Sequence, residues 1–300
     1  MKKTGLAKKL WKRKTPGDIV FWAVTNFFVL FVVIVTLYPF IFVASASISE
    51  PSMVTRMEVW LLPKGINFSA YERVFKEEQL WVTYRNTIWY VIVGTAVNLL
   101  MTTLLAYPLS RRRFQGRRII MIAITFTMFF SGGMVPLFIL VRSLKLINTR
   151  WALIIPSAIS TYYLIITRTF FEGIPESMHE MATIDGAGEL RIFIQMFLPL
   201  SMPILATLTL FYAVGYWNAY FNAMLYLSKE HLYPLQIFLR RILLMYEAND
   251  LVLDIQIDRR DISRTIRYAT IMISTLPIIC VYPFVQKYFV KGVMIGAIKG

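Results

Sequence analysis

Cysteine and histidine are almost missing from this chain of 300 residues, which has one Cys and two His. Cys280 alone can form neither an internal disulfide nor a thiolate metal cluster, and within its apolar run it reads as a small buried hydrophobe. His179 and His231 belong to connections on opposite sides of the topology derived below, so they share no metal. No Gly-Lys dipeptide occurs, which excludes a phosphate-binding P-loop. Charge is scarce as well. Charged residues make up 16% of the chain and hydrophobic residues 57%, whereas an ordinary soluble domain carries about 25% charged residues. The seventeen Asp and Glu residues all fall outside the long apolar runs. Ion-coupled carriers keep an ionisable group at membrane depth, and an intramembrane enzyme would need polar catalytic groups there, so this absence weighs against both.

The chain does contain long apolar runs. A hydrocarbon core of about 30 Å needs about 20 helical residues to cross it. Six stretches qualify, at 19–44, 82–109, 119–141, 151–171, 200–227 and 268–290. Backbone groups in lipid must bond within their own segment, so helices are expected, and the alternating strand-length segments of a membrane barrel are not seen. The first stretch is longer than the 7–15 residues of a signal-peptide core, so an uncleaved first helix is expected.

Net charge is +15. Nucleic acid is not the expected partner, because the basic residues lack the interleaved stacking aromatics that such binding uses. They cluster instead against the apolar runs. Seven Lys or Arg lie between Lys2 and Lys14, and five between Arg111 and Arg118. Basic residues flank spans on the cytoplasmic side, which puts the N-terminus and the second-to-third connection inside; six spans then return the C-terminus inside, where Lys287, Lys291 and Lys299 agree.

The connection 172–199 is cytoplasmic on this topology yet holds five acids, Glu172, Glu176, Glu180, Asp185 and Glu189, and one base, Arg191. It reads as helix, turn, helix. Pro175 opens the first piece, with Glu176 and Glu180 near its N-terminus. Gly186 and Gly188 allow a bend. Leu190, Phe193 and Phe197 recur at helical spacing as an apolar face, and Pro199 marks re-entry into the membrane. A short amphipathic helix of this kind fits a groove on a partner.

Glu180-x-Ala182, Asp185-Gly186 and Leu198-Pro199 resemble, in residue and spacing, the EAA motif of binding-protein-dependent ABC importer permeases, with Met181 at the second position of the triplet and Met196 where Ile is usual. Phe130 to Pro136 with Gly132 and Gly133, Asn148 to Ala152, Trp217-Asn218-x-Tyr220, Tyr233 to Gln236 and the ending Lys291 to Gly300 are similar to carbohydrate permeases of the maltose-transporter class, nearest to those for oligosaccharides or polysaccharide fragments. The resemblance implies an all-α membrane protein of type I ABC importer permease fold: a basic cytoplasmic segment 1–18, then a transmembrane domain 19–300 with six helices and the coupling loop 172–199. It implies a bacterial cell membrane location and no catalysis or cofactor in this chain. ATP and Mg would be held by two partner ATPase subunits. A homologous second permease and an external or periplasmic sugar-binding protein would complete the assembly, all in the lipid bilayer. Glu180, Met181, Ala182, Asp185, Gly186, Leu198 and Pro199 would dock the ATPase, and the tail after Lys291 would lie against it too.

Sugars are held by aromatic faces and amide or hydroxyl groups. Trp217, Asn218, Tyr220 and Asn222 could supply these, or could form an interfacial aromatic belt. Gly132 and Gly133 could break the third helix beside a cavity, or serve close helix packing. A permease for another solute and a secondary carrier stay open as alternatives. The connection 228–267 is too long for a tight turn. Pro234 is expected to start a helix whose face Leu235, Phe238, Leu239 and Ile242 lies along the outer membrane boundary, followed by a charged loop that touches the binding protein. Charge reversal at Arg259 and Arg260 is therefore expected to weaken stimulation of the ATPase by loaded binding protein, more at low salt than at high salt, with insertion and basal ATPase activity intact. A stimulation curve unchanged across ionic strengths would reduce that loop to a connector.

Overall fold

The computed structural model describes residues 16–251, 262, 264–280 and 283, with side chains through residue 245 in the helix that ends at Leu251. Most of the basic N-terminal segment, Arg259, Arg260, Lys287 and the tail from Lys291 lie outside the described residues. The described residues form helices joined by turns, with one isolated antiparallel bridge, Ser49–Ile66, and no strand. They divide into two compact units, residues 1–72 with 249–272 and residues 73–248 with 273–300.

The first unit begins with a 32-residue helix, Pro16–Ser47. Pro16 suits the first turn, and Asp18 complements the positive helix end. The helix is apolar on every side, and its large side chains from Ile19 to Ile41 are exposed in the isolated chain. Such a helix needs an apolar surrounding medium. Only Ser45, Ala46 and Ser47 are buried. The following segment folds back over them. Ser45 Oγ donates to the Leu61 carbonyl at 2.6 Å, and Asn67 Nδ2 donates to Glu50 Oε2 at 2.9 Å. Val54 and Val59 close over Ala46 beside Phe42 and Tyr268.

The second unit is built on a 33-residue helix, Glu78–Ser110, which contains the expected span 82–109. Two further expected spans, 119–141 and 151–171, are helical but bent, and the span expected at 200–227 begins at a bend from the connection before it. Arg117–Phe129 and Met134–Ser143 meet at 116°, Trp151–Ser157 and Thr161–Glu172 at 53°, and Glu189–Leu200 and Met202–Trp217 at 80°. Gly133, at φ +85°, supplies the first break in a left-handed conformation that glycine adopts freely. Pro156 accompanies the second and Pro199 and Pro203 the third, each removing a helix donor. The expected span 268–290 is helical at 264–280.

One stripe of the helix Glu78–Ser110 organises this unit. Asn86, Tyr90, Gly94, Asn98, Thr102 and Ala106 recur every fourth residue and are all buried. A four-residue period drifts about 40° per step around an α-helix. The wider π turn Tyr90–Gly94 takes up part of that drift. Asn86 Nδ2 donates to the carbonyls of His231 at 2.7 Å and Tyr233 at 3.1 Å, and the Tyr90 hydroxyl donates to the Leu232 carbonyl at 2.9 Å. Thr87 Oγ1 accepts the Leu235 backbone N–H at 2.8 Å. The helix Leu235–Leu251 does start after Pro234, but Leu235, Ile237 and Phe238 are buried in the protein. Of the expected face, Leu235 and Phe238 are thus packed into the protein, and Leu239 and Ile242 are half-buried.

At Gly94 a Cβ would fall 2.4 Å from Tyr216 Cζ, well within van der Waals contact. Tyr216 cannot retreat without giving up its hydrogen bond to Asn98 Oδ1, 2.9 Å away. Gly94→Ala is expected to cost about 1–3 kcal/mol by overpacking, read as a lower midpoint of thermal unfolding in detergent. Adding Tyr216→Leu should cost less than the sum of the two single changes, since the clash is shared; strict additivity would contradict this packing.

Candidate functional site

Two places in the second unit gather the residues singled out above. The first is the acidic connection 172–199. Three of its acids, Glu172, Glu176 and Glu180, meet arginines of the basic cluster at 111–118. Arg113 Nη2 donates to Glu180 Oε1 at 2.9 Å. Glu172 Oε1 takes Arg168 at 2.5 Å and Arg117 at 3.3 Å, and Arg111 lies 3.8 Å from Glu176. Arg111 also sits over the ring of Phe197, with its guanidinium carbon 4.9 Å from the ring centre. The Arg113–Glu180 pair is exposed and individually weak, whereas the others are half-buried. The anchor beneath them is apolar: Phe171, Ile192, Phe193 and Phe197 pack with Tyr107 and Leu164. The π turn Phe193–Phe197 turns both rings inward, while Leu190 stays exposed. The expected apolar face of Leu190, Phe193 and Phe197 is therefore split, and its larger part belongs to this chain's own core.

Gly186 ends the helix Glu176–Ile184 at φ +78°. Ala187 N–H donates to the Ala182 carbonyl and Gly186 N–H to the Thr183 carbonyl, both at 3.0 Å. These are the paired bonds of a Schellman cap, which a left-handed glycine completes. Nothing lies within 4 Å of a Cβ added there. Ala182 and Leu198 lean on the core, whereas Met181 and Ile184 stand 63% and 83% exposed. Asp185 and Pro199 are exposed as well.

Glu189 joins the two halves of the connection. Its carboxylate accepts from the Tyr107 hydroxyl at 2.6 Å and lies 3.1 Å from His179 Nε2. Burial pushes the Glu189 carboxyl up, but the hydrogen bonds from Tyr107 and His179 and the charges of His179 and Arg111 outweigh it. The pKa therefore sits below the ordinary carboxylate value.

The second place is a cavity of about 410 Å³ beside the middle of the helix Glu78–Ser110. Tyr163, Phe211, Tyr212 and Tyr216 give it aromatic walls, and Asn98, Ser157, Asn218 and Asn222 give it amide and hydroxyl groups. Tyr163 stacks on Phe211 at 5.6 Å and meets Tyr212 edge-on at 4.9 Å. Asn98 Nδ2 donates to the Ser157 carbonyl at 3.0 Å, and Thr102 pairs with the Tyr212 hydroxyl at 2.8 Å. Among the described residues, no charged side chain lines it. Asn218, Tyr220 and Asn222 line this cavity. Trp217 points elsewhere, donating its indole N–H to the Ser274 carbonyl at 3.2 Å with its ring edge-on to Tyr84. Gly132 and Gly133 form the helix break and do not line the cavity.

A family model described as a binding-protein-dependent transport system inner membrane component matches residues 98–295, which contain the connection and nearly all of the cavity. The chain belongs to this family. It is thus a membrane transport component, not an enzyme. It is 39% identical over 280 residues to the polygalacturonan/rhamnogalacturonan transport system permease protein YtcP of Bacillus subtilis, covering 91% of this chain and 96% of that one. Protein LplC of Bacillus subtilis is 39% identical over 266 residues, covering 89% of this chain and 90% of that one. Among solved structures, a bacterial ABC transporter involved in import of the acidic polysaccharide alginate matches with a TM-score of 0.84 and 37% identity, covering 92% of this chain and 98% of that chain. The all-helical type I permease fold read from the motif is the fold of this family member.

The stripe residue Asn98 and the rings of Tyr163, Phe211, Tyr212 and Tyr216 were not singled out from the sequence. The signal available was the four-residue spacing of polar and small residues within an apolar run, and it identifies a buried face without saying what covers it.

A carboxyl held below its ordinary pKa stabilises the fold fully above that ordinary value, and the contribution is lost as pH falls through the lower folded value. Amide protection across residues 176–193, measured against the intrinsic exchange rate at each pH, is expected to stay high at neutral pH and to fall several-fold only below the ordinary glutamate value of about 4.3. Glu189→Gln should exchange faster already at neutral pH. Equal protection in the variant would mean that the contact holds nothing.

Proposed function

We propose that this chain is one permease half of an ATP-driven importer carrying oligosaccharides or polysaccharide fragments inward from an external binding protein. The observation that carries the reading is the uncharged cavity of tyrosines, phenylalanine and amides within a chain of this family. Its volume falls in the range of small-molecule sites, about 300–1,000 Å³. Flat rings and amides match the apolar faces and hydroxyls of a pyranose. The transported substances named for the relatives, including polygalacturonan and alginate, support the same class. The chain crosses the membrane six times with both termini cytoplasmic, a topology supported by the basic clusters and by the two long helices, three bent pairs and the helical stretch 264–280.

A homologous second permease is the natural cover for the break at residues 130–133. Those residues are exposed in the isolated chain. Non-helical backbone at membrane depth is tolerated only where protein or a water-filled path satisfies it. The connection 172–199 serves as the coupling element for one of two ATPase subunits, which bind the ATP and Mg. Met181 and Ile184 are its apolar contacts, Gly186 holds its shape, and Glu180 sits beside them.

Ile184→Asp is expected to leave the fold intact, because the side chain is exposed, yet to reduce transport at least tenfold while ATP hydrolysis by the assembled complex continues. Gly186→Trp should uncouple likewise, and Gly186→Asn, which tolerates the left-handed conformation, less so. Wild-type coupled transport in both Ile184→Asp and Gly186→Trp would sink the docking assignment. In the cavity, Tyr163→Ala and Phe211→Ala should raise the substrate concentration for half-maximal uptake several-fold without changing basal ATPase activity. Uptake curves identical to wild type would remove the cavity from the pathway.

A further inference from the structure

A groove of about 800 Å³ runs between the helices Arg117–Phe129 and Thr161–Glu172, apart from the cavity and the coupling loop surface. Its two ends differ in kind. At one end stand three guanidinium groups, Arg117, Arg118 and Arg168. Glu172 is the acid paired with Arg117 and Arg168, so three positive charges against one negative leave an excess of two. Arg118 makes no ion pair among the described residues. Away from that end the walls are Met121, Ile122, Phe126, Phe129, Phe130 and Ile165, with Thr125 as the polar exception. Phe126 and Phe130 stack at 4.3 Å and 15°, giving the far end a flat apolar wall.

From Arg117 to Phe130 the helix rises about 20 Å at 1.5 Å per residue, somewhat more than the roughly 15 Å hydrocarbon depth of one leaflet. A saccharide would leave its hydroxyls unpaired along such a wall, at the cost of a buried polar group without a partner. A free phosphate would use only the arginine end and leave the apolar wall wet. We infer that this groove holds one anionic phospholipid of the inner leaflet, its phosphate between Arg118 and the Arg117–Arg168 pair and an acyl chain along Ile122, Phe126 and Phe129. Basic pockets between spans on the cytoplasmic side suit such headgroups by charge. The bound lipid would brace the helix that ends in the break at 130–133 against Thr161–Glu172, the helix that leads into the coupling connection. This rests on the cytoplasmic position of Arg117 and Arg118 given above.

The test uses the whole transporter with its partner subunits, in nanodiscs of equimolar phosphatidylglycerol and phosphatidylcholine, followed by native mass spectrometry of the lipids retained on release. The same composition in both leaflets makes the result independent of orientation and of transport, so its failure is separable from failure of the importer reading. Wild type is expected to retain phosphatidylglycerol in preference to phosphatidylcholine. Arg118→Gln should lower that preference about fivefold, the effect of about one basic residue near an anionic surface. Arg118→Glu should abolish it, with the ion pairs to Glu172 intact. Excess inorganic phosphate should not displace the lipid. Equal retention of the two lipids by wild type, or retention unaltered in Arg118→Glu, would overturn the proposal. Displacement by inorganic phosphate would reassign the site to a free anion. Efficient cross-linking of Ile122→Cys to the second permease, in a Cys280→Ser background, would overturn it by showing the groove filled with protein.

Discussion

Everything in the second unit depends on polar side chains that the helix Glu78–Ser110 buries in an apolar setting. A buried amide or hydroxyl without a partner is costly, and far more so where no water can reach it. Each of these groups therefore dictates what packs beside it. Asn86, Thr87 and Tyr90 capture the backbone of residues 231–235. Asn98 ties the turn at Ser157 to Tyr216, Thr102 ties Tyr212, and Tyr107 ties Glu189 in the acidic connection. Apolar packing alone would allow these segments to slide along the helix, because lipid tails solvate leucine as well as another helix does. Hydrogen bonds at stated positions do not allow it.

The consequence for transport is mechanical. One rigid element carries Asn98 and Thr102, beside or in the cavity, and Tyr107, in the anchor of the acidic connection. In the importer proposed above, movement of that connection would pass to the cavity walls through the helix Glu78–Ser110 and through Phe193 and Phe197, which lead into Met202–Trp217. The Arg113–Glu180 ion pair is exposed and can rearrange at small cost, whereas the aromatic anchor, with Arg111 largely buried over Phe197, cannot. A surface of exchangeable charges over an apolar joint is what a loop that must move as a body requires. No chemistry is asked of any of these residues.

Expectation and structure part company at bends and faces. Helical hydropathy locates apolar segments of membrane length, and five of the six expected stretches coincide with long helices or bent pairs. It carries no information about the 116° turn at Gly133, because the conformation that glycine permits is not one it enforces. Helical spacing grouped Leu190 with Phe193 and Phe197, but the π turn there shifts the phase, sending the rings inward and leaving Leu190 out. Trp217 was grouped with Asn218 and Tyr220 by adjacency, and the end of its helix at Trp217 sends it to Ser274 while its neighbours face the cavity.

What the sequence determined by itself was the medium, the positions of long apolar segments and the family, through the spacing of Glu180, Ala182, Gly186, Leu198 and Pro199. Those properties are sums over local composition or fixed short-range patterns, and each can be read one segment at a time. Only the tertiary structure decided that Asn98, Tyr163, Phe211 and Tyr212 share a cavity, and that the acids of the connection answer the arginines of another. These residues come from separate segments, and their meeting depends on hydrogen bonds and ring contacts formed across the fold, which no single segment encodes.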